Sequence, residues 1–211
     1  MKVISTNIAK PRTILWNGKE ERTGIYKEPV STPIYLEKEN VRGDEVSNRV
    51  NHGGKYKACY LYAAEHYPYW KNLYPDLDWD WGMFGENLTV EGLDERELLI
   101  GSTYQLGTAL VKISEPRQPC YKLGIKFGTH QVIRQFIEHG YSGTYLTILE
   151  EGEVTSGDVL ALVSEHTGAI SIYQYNALLN TRDKNQDHLR LAIVNEAIRL
   201  EKRERLKRFL Q

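Results

Sequence analysis

From Met1 to about Val163, apolar positions alternate with polar ones or gather in short β-branched runs, and Gly, Pro, Asn and Asp fall between the runs. A period of two over four to eight residues predicts strands at 3–9, 12–16, 24–27, 34–37, 58–62, 103–106, 110–114, 145–149 and 159–163. Turn signals such as Asn17-Gly18, Arg42-Gly43-Asp44 and Gly157-Asp158 separate them. Many short strands in one unit predict a barrel or sandwich, because closure or stacking removes exposed edges. Two stretches break the pattern with helical spacing. Residues 63–73 carry Pro68 where a first helical turn tolerates it. In 129–139, Val132, Ile133, Phe136 and Ile137 share a face, Thr129 can cap the start and Gly140 can end the helix.

After Ser164 the period lengthens, and three helices are expected at 171–179, 187–199 and 201–209. The chain therefore divides into a mainly β unit at 1–165 and a small three-helix unit at 166–211. The formal net charge of -1 hides an asymmetry. Residues 181–211 hold nine basic and five acidic side chains, a net +4 that leaves -5 on the rest. Such a run reads first as the solvated face of a helix, with Leu206, Phe209 and Leu210 as its docking side, and otherwise as a surface for an acidic partner. Overall neutrality argues against nucleic acid as the main partner. The longest purely apolar run, 159–163, is far short of the roughly 20 residues of a membrane span, and the first eleven residues do not read as a signal peptide. The expected location is the cytoplasm. There a disulfide between the two cysteines, Cys59 and Cys120, is not expected.

Candidate chemistry concentrates in three places. In Glu115-Pro116-Arg117-Gln118-Pro119-Cys120-Tyr121-Lys122, two prolines stiffen a loop after a strand, and Arg117 and Lys122 flank a thiol whose thiolate they would favour. In 48–57, Gly53-Gly54 permit close backbone approach, with Arg49, Lys55 or Lys57 as charges for an anion. Taken alone this segment reads first as a glycine turn with a basic rim, and the P-loop pattern is absent. In 81–87, Glu86 and Asn87 follow two glycines and present planar groups suited to ring edges, or else close a turn. The six histidines show no zinc-type spacing. The tyrosine surplus, 14 against 4 phenylalanines, predicts half-buried aromatics with polar tips.

In order, His52-Gly53-Gly54 with Lys57-Ala58, Glu65-His66-Tyr67 with Trp70, Phe84-Gly85-Glu86-Asn87, Glu115 to Cys120 with Lys122, and Leu149-Glu150-Glu151-Gly152 resemble the MOSC family in its YiiM-like branch. The family is named after the C-terminal domain of molybdenum-cofactor sulfurase. The resemblance implies a mainly β (α+β) fold, a closed β-barrel with helical inserts followed by a three-helix domain. It also implies a molybdenum cofactor, a metal held by the dithiolene of a phosphate-bearing pterin. Cys120 would be the metal's protein ligand and the catalytic residue. Arg49, His52, Gly53, Gly54, Lys57, Glu86, Asn87, Arg117 and Lys122 would hold the cofactor. Thr147 stands where related proteins usually carry a basic residue, and Cys59 stands where they carry an aliphatic one.

The implied activity is reduction of N-hydroxylated compounds such as hydroxylamino-purines. Electrons would come from a separate flavin or iron–sulfur reductase, because no dinucleotide-binding motif is present. Two other readings stay open: a sulfur (persulfide) or cofactor carrier without turnover, and a non-enzymatic anion-binding or nucleic-acid-binding module. Formation of a homodimer is likewise open.

Overall fold

The computed structural model describes residues 1–46 and 53–211. Arg49 and His52 lie outside the described residues. The strands are β1 Lys2–Ala9, β2 Arg12–Trp16, β3 Lys19–Thr23, β4 Lys27–Val30, β5 Ile34–Glu37, β6 Asn40–Val41, β7 Cys59–Ala63, β8 Leu88–Glu91, β9 Thr103–Leu106, β10 Ala109–Pro116, β11 Thr144–Glu150, β12 Gly152–Val154 and β13 Leu160–Ser164. The helices are α1 Tyr67–Leu73, α2 Tyr121–Lys126, α3 Gln131–His139, α4 Ile172–Asn180, α5 Gln186–Val194 and α6 Leu200–Lys207. No helix among the described residues is long and apolar enough to cross a membrane.

Among the described residues, eight strands form one sheet in the order β13-β9-β10-β11-β7-β8-β1-β4. Every pairing is antiparallel except β7 with β8. The expected closed barrel is corrected here. The outer flank of β1 is divided, because Thr6 to Ala9 pair with β4 while only Lys2 bridges to Val159, just before β13. Val3 N–H to Asp158 O (2.8 Å) and Leu160 N–H to Met1 O (2.9 Å) draw the two ends together without a continuous ladder. The mixed, sheet-dominated architecture stands.

Local chemistry explains several boundaries. Asn17 and Gly18 both have positive φ, 49° and 75°, the requirement of a two-residue hairpin turn, and so β2 and β3 form a separate ribbon. Residues 24–26, expected as strand, are irregular because Gly24 packs directly on the next loop: a Cβ there would lie 1.8 Å from Glu45 O. The helix expected at 129–139 runs from Gln131 to His139 and ends at Gly140 with φ 82°.

Two apolar clusters hold the fold. The larger fills the sheet with Leu61, Leu88, Val111 and Leu146 and continues into Tyr175, Leu189 and Leu206 of α4, α5 and α6. The three expected C-terminal helices are thus present and share the core of the sheet. The second cluster is aromatic, built around Tyr62, Tyr67, Trp70, Phe84 and Phe136. Tyr60, Tyr62 and Tyr67 are fully buried rather than half-buried. Each hydroxyl has a partner: Tyr60 donates to Ser142 O (2.7 Å), Tyr62 accepts from Trp70 Nε1 (2.8 Å), and Tyr67 donates to Glu86.

Glu95 is buried and accepts from Ser142 N–H (3.0 Å) and Gly143 N–H (2.7 Å), fixing the loop that enters β11. Burial outweighs these bonds and pushes its carboxyl up to about 7. The folded chain therefore keeps a proton that the unfolded chain releases, and stability falls as pH rises from the ordinary carboxylate range to about 7. In Glu95→Gln, denaturant midpoints should lose that slope, removing a pH-dependent difference on the order of 3 kcal/mol. Equal slopes in the two proteins would refute the assignment.

Candidate functional site

β10 is the longest route into the site. It ends at Pro116, and the chain then passes through Arg117 to Cys120, which stands in extended conformation (φ −124°, ψ 167°) immediately before α2. Arg117 and Cys120 open on a solvent-facing cleft. Thr23 to Ile25 and Gly85 form part of its wall, with Tyr60 and Tyr145 on neighbouring strands.

Two clamps fix α2, and with it the thiol. On one side Trp16 stacks on Tyr121 at 4.8 Å, the Tyr121 hydroxyl donates to Glu21, and Lys122 Nζ donates to Arg22 O at 2.8 Å, so the β2–β3 ribbon holds the first turn. On the other side Lys126 Nζ donates to Ile25 O (3.2 Å) and Gly82 O (2.9 Å), tying the last turn to Ile25 of the cleft wall and to the turn at Gly82. Burial brings the Lys126 ammonium down to about 8.

The lining is cationic. Lys27, Lys57, Arg117 and Lys122 face Asp44 and Glu45. Lys27 is buried and paired with Asp44, whose Oδ2 also accepts from Asn87 Nδ2 at 3.0 Å. Lys57 Nζ lies 3.4 Å from Glu115. Arg117 differs from these. It is 5% exposed, lies over the Tyr60 ring at 5.1 Å and hydrogen-bonds to Tyr145, yet no carboxylate among the described residues pairs with it. Its Nη1 has no hydrogen-bond partner among the described residues. Its pKa lies above the ordinary value, but the opposing pull of Tyr60 and Tyr145 needs their phenolate forms, which burial holds back to high pH, so near neutrality they do not offset the cost of burying the charge. A buried guanidinium with an unused donor beside a thiol is a site for an anion.

Of the expected site residues, Lys57, Asn87, Arg117, Cys120 and Lys122 line the cleft. Gly54, with φ 85°, opens the 3-10 turn that carries Lys57, but neither it nor Gly53 is in the lining. Glu86 is fully buried away from the cleft, its oxygens taken by Gly82 N–H (2.9 Å), Phe84 N–H (3.0 Å), Thr89 Oγ1 (3.0 Å) and Tyr67. It braces the loop that positions Asn87. Thr147 does not line the cleft, and Cys59 is buried, its thiol pushed up by desolvation. Lys27, Asp44 and Tyr60 were not expected. Of these, Lys27 and Tyr60 fall in predicted strands, and the strand of Tyr60 directly follows the basic 48–57 segment.

The MOSC domain model matches residues 48–161, more than half of the chain. The chain belongs to the MOSC domain family. Its relatives include the uncharacterized protein YflK of Bacillus subtilis (strain 168), 42% identical over 181 residues, covering 86% of this chain and 81% of YflK. A protein of Gibberella moniliformis (strain M3125 / FGSC 7600) named "Reductase" is 31% identical over 170 residues, 79% of this chain and only 30% of that longer protein. The crystal structure of YiiM from Geobacillus stearothermophilus superposes with a TM-score of 0.81 at 33% identity over 100% of this chain and 99% of that one. MOSC domains are associated with the molybdenum cofactor. The cleft of this MOSC protein fits such a group, since it offers a soft sulfur donor at Cys120, the unpartnered Arg117 Nη1, and the ammonium groups of Lys57 and Lys122.

Proposed function

We propose that this MOSC protein is a molybdenum-cofactor-dependent reductase that converts N-hydroxylated compounds to amines. The observation that carries the reading is the shared cleft of the Cys120 thiol and the buried Arg117 guanidinium, whose Nη1 has no hydrogen-bond partner among the described residues. Net turnover cleaves an N–O bond with two electrons and two protons and yields amine and water. When bound, the cofactor supplies the two-electron redox chemistry. Cys120 would be its protein ligand. Arg117, Lys57 and Lys122 would hold its phosphate and offset its charge, and Asn87 would face a ring edge. Tyr60 and Tyr145 narrow the cleft and limit water around the charged groups.

The electrons would come from a separate flavin or iron–sulfur reductase. The fungal relative named a reductase supports a reductive activity. On the basic tail, Arg203 turns inward to Ile198 O (3.1 Å) and Ile193 O (3.4 Å), and Lys207 pairs with Glu204 (2.6 Å), so Arg205 and Arg208 carry the exposed excess toward an acidic donor.

The test is metal content. Protein produced with molybdate and a complete cofactor pathway should contain near-stoichiometric molybdenum, and Cys120→Ser should lose most of it. Labile sulfane sulfur without molybdenum would replace this reading with the carrier reading. Molybdenum unchanged in Cys120→Ser would remove Cys120 from the metal.

A further inference from the structure

Glu115 lies two residues before Arg117 on β10 and is buried, yet three cations from distant parts of the chain converge on it. Arg199 Nη2 reaches both of its oxygens at 3.1 Å, Lys202 Nζ reaches Oε2 at 2.5 Å, and Lys57 Nζ stands farther off, 3.4 Å from Oε1. Arg199 and Lys202 belong to the start of α6, more than eighty residues away, whereas Lys57 lines the Cys120 cleft. The shorter contacts are those to α6.

We propose that Arg199 and Lys202 are positioning residues for the cleft: by taking up the charge of Glu115, they keep that carboxylate from cancelling Lys57 and so maintain the positive potential around Cys120. With Glu201, 3.4 Å from Arg199 Nη1, two carboxylates meet three cations and leave a net +1 beside the cavity. Removal of the two α6 cations would leave Lys57 as the only cation on Glu115 among the described residues, and a close pair in a poorly solvated place would neutralise both. The C-terminal helices are then part of the anion site. This deepens the reading of the cleft as an anion site but does not depend on the metal.

The potential can be read at Cys120 itself in the intact chain. Iodoacetate is an anion and iodoacetamide is neutral, so the ratio of their alkylation rates, normalised to that of N-acetylcysteine, reports the local field. Cys120→Ser controls for the buried Cys59. The wild-type ratio should exceed that of the free thiol. In Arg199→Met/Lys202→Met it should fall about three- to tenfold, and adding Glu115→Gln should restore it, a rescue that a merely structural role would not give. An unchanged ratio in the double variant, or no rescue, overturns the inference. If the double variant does not fold, Glu115→Gln alone should raise the ratio, and no rise overturns it. A wild-type ratio no higher than that of the free thiol would refute the anion cleft as well, whereas molybdenum lost without any change in these ratios would count against the metal reading alone.

Discussion

Glu86→Ala should destabilise this protein by on the order of 4 kcal/mol or more, seen as a large drop in the denaturant midpoint or as loss of soluble protein. The side chain is fully buried and accepts from four donors within the 82–89 loop and α1. The hydroxyls of Tyr67 and Thr89 can turn elsewhere, but the N–H groups of Gly82 and Phe84 are fixed by the backbone and would be left unpaired at about 1–3 kcal/mol each. A cavity in the aromatic cluster adds to that cost. Glu86→Gln should be milder but still harmful, since the amide NH2 would face an N–H donor. If Glu86→Ala stays within 1 kcal/mol of wild type, the bracing role assigned here is wrong, and a ligand-facing role for Glu86 regains its place.

Glu86 also shows where sequence reading stops. A carboxylate after two glycines suggests either a ligand contact or a turn, and only the arrival of Tyr67 from α1 decides for the brace. The signals that survived are local ones. The Asn17-Gly18 hairpin, the four-residue apolar face of 129–139 and the proline-stiffened path to Cys120 each follow from residues close in the chain. Among the described residues four strands were not expected, β3, β6, β8 and β12, and of these β8 and β12 are only three or four residues long and pair with chain far away. The open seam between β1 and β13 was equally hidden, because it depends on β4 taking half of one strand edge. The charges of the cleft divide the same way. Arg117 and Lys122 were legible beside the thiol, whereas the Lys27–Asp44 pair and the three cations on Glu115 are assembled by the fold.

Arg117→Met should do two opposite things. In protein without ligand it should raise stability by about 1–3 kcal/mol, because it removes a buried charge that has no carboxylate partner and one unused donor, and it puts an apolar stem of similar length against Tyr60 and Phe136. In protein produced with the cofactor pathway it should weaken cofactor binding by about two orders of magnitude, read as a drop in molybdenum content, because a charge-assisted, desolvated hydrogen bond to an anion is worth roughly 3 kcal/mol. Thermal melts of the ligand-free protein and metal analysis of the loaded one measure the two halves independently. A residue that served only the core would lose stability on substitution, and one that served only as a surface cation would change neither quantity much. A gain of stability coupled to a loss of binding is the signature of a charge that the fold buries at a cost so that an anion can use it.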